Sequence, residues 1–177
     1  MRTVTYGAAC SLDGFIAAAD GSIDWLHFSP DVQAFMAAYW PTIDTIVMGR
    51  GTWDVTARQD TGEAPSMPGI QTYVFSRTLA EISRPGVRLV RDEAGPFVQA
   101  LKKQPGKGIC VLGGGVLGTS LLEAGVVDEV GMNVHPVLLG AGVPLFRNAK
   151  RRIPLELLET RRMGGGCVLC TYRVTRA

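Results

Sequence analysis

The chain has little of what most familiar catalytic machinery is built from. Only two histidines, His27 and His135, occur in 177 residues. There is no HExxH pair, no GxSxG elbow and no Walker A loop, which excludes zinc proteases, α/β-hydrolase serine enzymes and P-loop nucleotidases. The four cysteines are Cys10, Cys110, Cys167 and Cys170. Cys167-Val168-Leu169-Cys170 has the CxxC spacing, but strand-forming residues between the thiols would turn them to opposite faces. With no second CxxC a zinc site lacks ligands, so structural thiols are the simpler reading. Charge is sparse and balanced: 18 basic and 16 acidic residues leave a net +2. The densest basic cluster is Lys150, Arg151 and Arg152, with Arg161 and Arg162 nearby. It reads as a solvated turn and strand edge, with an anionic contact as the alternative; nucleic acid would need a broader basic face interleaved with aromatics. No apolar run reaches the ~20 residues that cross a bilayer. Arg2 leads into a strand-like run rather than a signal peptide. The expectation is a cytoplasmic protein with no membrane or nucleic-acid partner.

What is present suits an ordinary globular domain. The composition is 46% hydrophobic and 19% charged, which excludes a disordered tail. Neither a linker nor an internal repeat breaks the chain, so residues 1–177 read as a single domain. Thr3 to Cys10 reads as a first strand, followed by a turn at Ser11-Leu12-Asp13-Gly14 and a short apolar run from Phe15 to Ala18. Ser29-Pro30-Asp31 predicts a helix start with Ser29 as the cap. Val32, Phe35, Met36 and Tyr39 lie on one side, and Pro41 marks the end. Strands are predicted over 45–48, 71–75, 87–90, 109–112 and 126–134, the last emerging at the surface near Asp128 and Glu129. Helices are predicted over 95–103 and 116–123. Residues 57–69 and 135–146 read as loops. Strands at 153–161 and 167–174, joined by Gly164-Gly165-Gly166, predict a C-terminal hairpin. Alternating strands and helices followed by a hairpin imply an α/β fold. The central sheet is mainly parallel, with helices on both faces and an antiparallel edge.

Three strand ends carry candidate chemistry. Val111-Leu112 runs into Gly113-Gly114-Gly115 before a helix, where backbone amides and the helix dipole could meet a phosphate; a plain tight turn explains the glycines equally well. Val47-Met48 runs into Gly49-Arg50-Gly51-Thr52-Trp53. There Arg50 can present its guanidinium fork to phosphate, and Thr52 can cap a helix and donate to an oxygen. Ser76-Arg77 closes a third strand, with a hydroxyl and a guanidinium suited to a 2′-phosphate, or simply a solvated strand end. Asp31 is either a catalytic acid near a ring nitrogen or an ordinary first-turn acid that compensates the helix dipole. His27 reads as a surface residue and His135 as structural. No nucleophile-and-base set stands out, and hydride transfer needs none, because the cofactor carries the difficult chemistry.

Taken together, Ser11-Leu12-Asp13-Gly14, the stretch from Val47 to Trp53, Ser76-Arg77, Gly113-Gly114-Gly115 and the stretch from His135 to Gly142 resemble the dihydrofolate reductase superfamily. The closer resemblance is to its bacterial branch related to the reductase domain of riboflavin biosynthesis, the RibD C-terminal domain. Trp25 with Asp31 and Phe35 resembles the tryptophan and acidic helix of dihydrofolate reductase itself. The resemblance implies a dihydrofolate reductase-like three-layer fold that binds NADPH and passes a hydride to a C=N or C=O of a small heterocycle, pterin-like or ribosylaminopyrimidine-like. It implies that Gly49, Arg50 and Thr52 hold the pyrophosphate region and that Ser76 and Arg77 meet the 2′-phosphate. Gly113, Gly114, Gly115, Val116 and Leu117 would pass under the diphosphate and nicotinamide, while Ala9, Asp13 and Gly14 border the nicotinamide. Asp31 is the catalytic candidate. Related domains pair as homodimers. A non-catalytic nucleotide-binding or sensor protein that retains the cleft is the rival reading.

Overall fold

The computed structural model describes residues 1–58, 69–147 and 149–175. In chain order the elements are β1 (Val4–Ser11), β2 (Phe15–Ala18), α1 (Pro30–Tyr39), β3 (Ile43–Gly49), α2 (Arg50–Arg58), β4 (Gln71–Phe75) and β5 (Val87–Val90). They continue with α3 (Ala94–Lys103), β6 (Gly108–Leu112), α4 (Gly115–Glu123), β7 (Glu129–His135), β8 (Gly142–Pro144), β9 (Leu155–Arg162) and β10 (Val168–Val174). Eight strands form one sheet in the order β5-β4-β3-β6-β1-β7-β10-β9. The neighbours from β5 to β7 pair in parallel, whereas β10 is antiparallel to both β7 and β9. This is the three-layer α/β arrangement, with an antiparallel C-terminal hairpin, that the element order implies. No helix among the described residues is long and apolar enough to cross a membrane.

Strand alternation sends the side chains of the central strands to two different environments. On one face Val4, Tyr6 and Cys10 of β1, Ile109 and Val111 of β6 and Val130 of β7 pack beneath Val98 and Leu101 of α3 and Leu117 and Leu121 of α4. Gly118 of α4 sits directly on the Tyr6 ring, where any Cβ would collide with it. The Tyr6 hydroxyl donates to the Leu145 carbonyl at 2.6 Å, so the buried phenol is satisfied. The opposite face is covered by α1.

Several local expectations are corrected. Ser29 does not cap α1; its hydroxyl donates to the Asp31 carboxylate, which in turn accepts from the Val32 amide at 3.0 Å. Thr52 is no helix cap either, because α2 already begins at Arg50. Residues 126–128 precede the strand rather than belonging to it. Val126 and Val127 are buried there, and Asp128 receives the ammonium of Lys102, a buried lysine on α3, at 2.7 Å. The 135–146 stretch is not only loop: His135 ends β7, and β8 pairs antiparallel with β2. Of the predicted loop at 57–69, residues 59–68 lie outside the described residues.

Candidate functional site

Beneath α1 lies a cavity of about 330 Å³. Its floor follows from strand register. Leu112 of β6, Gly7 of β1, Gly131 of β7 and Thr171 of β10 form one row across four strands. The two central members have no side chain, so the sheet surface is bare peptide there, and a Cβ on Gly131 would meet nothing within 4 Å. On one side the next row is Cys110, Thr5 and Glu129; on the other it is Ala9, Asn133 and Leu169. Val32, Phe35, Met36 and Tyr39 of α1 form the roof. These are the residues that the helical period puts on one side, and their apolar stripe faces a slot as well as core.

Polar groups around the slot are incompletely paired. Among the described residues, the Tyr39 hydroxyl, the Asn133 side-chain oxygen and the Trp25 indole nitrogen are buried with no hydrogen-bond partner. Burial above all, with Cys110 adding to it, raises the Tyr39 hydroxyl and keeps it neutral. His135 Nδ1 accepts from the His27 amide at 3.3 Å and lies 3.4 Å from the Cys167 sulfur. A neutral imidazole carries its proton on one nitrogen, here therefore Nε2, which faces the Asn133 side-chain amide at 3.3 Å. The network is satisfied when the Asn133 oxygen accepts from Nε2, and this leaves the Asn133 NH2 as the group without a protein partner. Burial, followed by the neighbouring His27, pushes the His135 pKa down, in keeping with a neutral ring.

The structure brings most of the candidate cofactor residues to one edge of the sheet. Gly113 and Gly114 follow Leu112, a cavity residue, with φ of +66° and +44°. Thr52 packs against both, so a side chain at Gly113 would strike it. Gly115 opens α4 against the carbonyls of Pro144 and Leu145. No side chain caps α4, which leaves its first amides available. Val116 is exposed and Leu117 buried. Gly49 ends β3, and a Cβ there would lie 3.9 Å from that of Leu117. Arg50 reaches from the end of β3 to Thr78, beyond the end of β4, at 2.7 Å, and pairs with Asp54 at 3.3 Å. The Ser76 hydroxyl oxygen accepts from the Thr78 and Leu79 amides at 3.3 and 3.0 Å, and Arg77 is exposed beside it.

The early loop is tied down. Asp13 accepts from the Ser11 hydroxyl at 2.6 Å, the Leu139 amide at 3.2 Å and the Gly140 amide at 2.8 Å. These bonds, the Ser11 hydroxyl foremost, hold its pKa below the usual carboxylate range. Gly14, at φ +84°, accepts from the Leu145 amide at 2.8 Å. Ala9 lines the cavity. Asp31 does not. Its carboxylate is taken by the Ser29 hydroxyl, the Gly164 amide at 2.7 Å and the Val32 amide, and these bonds lower its pKa. It clips the start of α1 to the turn before β10. Glu129, Asn133, Tyr39 and Thr171 are among the cavity residues that the sequence reading did not place in a site. The available signal was a glycine inside each of two strands, Gly7 and Gly131, which marks a close approach or an open floor.

Comparisons with known proteins agree with this architecture. The family model of the RibD C-terminal domain matches residues 2–169. The uncharacterized protein YyaP of Bacillus subtilis is 36% identical over 180 residues, covering 97% of this chain and 94% of its own. The crystal structure of a protein of Shewanella sp. PV-4 assigned to riboflavin biosynthesis superposes with a TM-score of 0.86 at 28% identity, covering 99% of this chain and 100% of its own. Dihydrofolate reductase from Enterococcus faecalis, complexed with NADP(H), shares the fold with a TM-score of 0.71 at 17% identity, covering 98% of this chain and 97% of its own.

Proposed function

Because the chain belongs to the RibD C-terminal domain family, we propose that it is an NADPH-dependent reductase that delivers a hydride to a C=N or C=O of a small heterocycle held beneath α1. The observation that carries this reading is a junction. The uncapped start of α4 and the Arg50 and Ser76–Arg77 strand ends share a sheet edge, and Leu112, which leads into the glycines, also lines the cavity. An anion suits the free amides of α4. The left-handed Gly113 and Gly114 keep side chains away from those amides. Arg77, exposed and with no bonded partner among the described residues, suits a terminal phosphate.

In this reading Gly49, Arg50, Thr52 and Gly113 to Leu117 hold the diphosphate stretch, and Ser76 and Arg77 hold the 2′-phosphate. Ala9 supports the nicotinamide side, and the Asp13–Gly14 turn covers it. When bound, the reduced nicotinamide supplies the hydride. The chain's own part is to align the acceptor on the Gly7–Gly131 floor, exclude bulk water with the tied loops, and leave the proton to come from solvent. Asp31 serves as a positioning residue, because it lies outside the cavity lining and its carboxylate accepts from Ser29, Val32 and Gly164. The test is a calorimetric NADPH titration with NADP⁺ as competitor, followed by NADPH oxidation over a panel of pterins, pyrimidines and carbonyl compounds. Saturable binding with oxidation supports the reductase, binding without oxidation supports the non-catalytic sensor, and no binding defeats both.

A homodimer belongs to the same proposal. Among the described residues β9 ends the sheet with its outer edge unpaired, and Leu155, Leu157 and Leu158 are exposed. Glu156 lies near one end of it and Arg161 and Arg162 at the other, and within one copy Glu156 pairs with Arg173 and Glu159 with Arg161. An antiparallel second copy would bring Glu156 toward the basic end of its neighbour. A Leu157→Asp variant is expected to sediment as a monomer where the wild type sediments as a dimer.

A further inference from the structure

The inner end of the cavity carries a charge for which hydride delivery has no use. Glu129 opens β7 and lines the slot. The cation best placed to neutralise it is Arg173, its partner in register on β10, but Arg173 is engaged by Glu156 at 2.8 Å. Among the described residues Glu129 makes no salt bridge and no side-chain hydrogen bond. Among the described residues no lysine or arginine lines the cavity; His27 and His135 are the basic side chains there. At the start of α1 the Val32 amide already serves Asp31 and the Gln33 amide the Ser29 carbonyl. Close to Glu129 are two neutral hydroxyl-bearing residues, Thr5 in the same row and Tyr39 on the roof.

Glu129 gives an otherwise largely apolar slot a negative end. It favours a donor or a positive charge and repels an anion. The slot also constrains shape. Its floor is bare peptide at Gly7 and Gly131, and Phe35 lies in its roof. A flat ring fits between them, whereas a tetrahedral phosphate meets no lysine, no arginine and no free helix start among the described residues that line the slot.

We propose that Glu129 is a specificity-determining residue that selects planar nitrogen heterocycles presenting an N–H edge or a positive charge, and that phosphate-bearing or otherwise anionic rings are rejected. The proposal deepens the reductase reading by naming the class of molecule to be reduced, and rests on that reading only for the reduction itself. It divides this chain from reductases whose substrates carry a ribosyl phosphate.

The test uses the full chain and three flat probes of similar size: 2-aminobenzimidazole, indole and indole-2-carboxylate, each titrated by calorimetry. In the wild type 2-aminobenzimidazole is expected to bind at least ~10-fold tighter than indole-2-carboxylate, with indole between them. Glu129→Gln is expected to bring the two extremes within ~3-fold of each other, and Glu129→Asp to keep the order. Equal or tighter binding of the carboxylate by the wild type overturns the proposal, and so does an unchanged ratio in a folded Glu129→Gln protein. If that variant does not fold, the wild-type order of the three probes decides alone. NADPH is titrated into the same samples. Charge selectivity without NADPH binding rejects the reductase reading and leaves this inference standing, whereas NADPH binding without selectivity does the reverse.

Discussion

The central strands β6, β1 and β7 present one face to α3 and α4 and the other to α1, and the two faces have been put to opposite uses. The first is closed. Val4, Ile109, Val111 and Leu121 are fully buried, and the Tyr6 ring fills the space over Gly118. The second stays open, with two glycines at its centre and unpaired polar groups around them. One set of backbones therefore supplies both stability and a binding slot, because alternation assigns neighbouring residues to different tasks. A substitution's effect should depend on which face it touches.

The largest expected effect is on the closed face. Leu121→Ala empties a fully buried site and should lower unfolding free energy by about 3 kcal/mol, read from urea denaturation. Its effect on probe affinity should be small. Gly131→Phe is the mirror experiment: the side chain enters open space, so the urea midpoint should hold while turnover falls by ~100-fold with NADPH affinity intact. If Gly131→Phe destabilises as much as Leu121→Ala, the two faces are not divided as described. A smaller effect is expected at the shared edge. Arg77→Ala should weaken NADPH by ~10-fold and NADH hardly at all; equal loss for both removes Arg77 from 2′-phosphate recognition.

The smallest effect concerns pH. Burial depresses the His135 pKa, so the folded state resists a proton that the unfolded chain accepts near pH 6.5. Its contribution is present above that value and is lost as pH falls toward the folded-state pKa. The urea midpoint should therefore drop between pH 7.5 and 5.5, and His135→Asn should show a shallower drop. An identical slope in the variant would assign the acid sensitivity elsewhere.

The closed face was the more legible of the two. Val4, Tyr6 and Cys10 announce a strand side by alternation, and Phe97, Val98 and Leu101 announce the helix side that covers the same core. The glycine-rich strand ends were also legible, because they combine a turn requirement with a position beyond a strand. The slot was not. That Gly7 meets Gly131 depends on β1 pairing with β7, and that adjacency is a property of sheet order rather than of local pattern. Glu129 looked like a surface acid for the same reason. Lys102 gave no warning of burial, because its ion pair with Asp128 forms between segments distant in sequence. Ser29-Pro30-Asp31 was read correctly as a helix start, but the roles within it were exchanged: Asp31 accepts the amide and Ser29 supports Asp31.

The Asp13 clip has a kinetic corollary. Asp13 holds the amides of Leu139 and Gly140, Leu12 donates to the Val137 carbonyl at 2.9 Å, and β2 is zipped to β8. The two segments are consequently tied into one unit. Any displacement of one must carry the other or break these bonds, so hydrogen exchange of the Leu139 and Gly140 amides should quicken together when Asp13 is replaced by Ala.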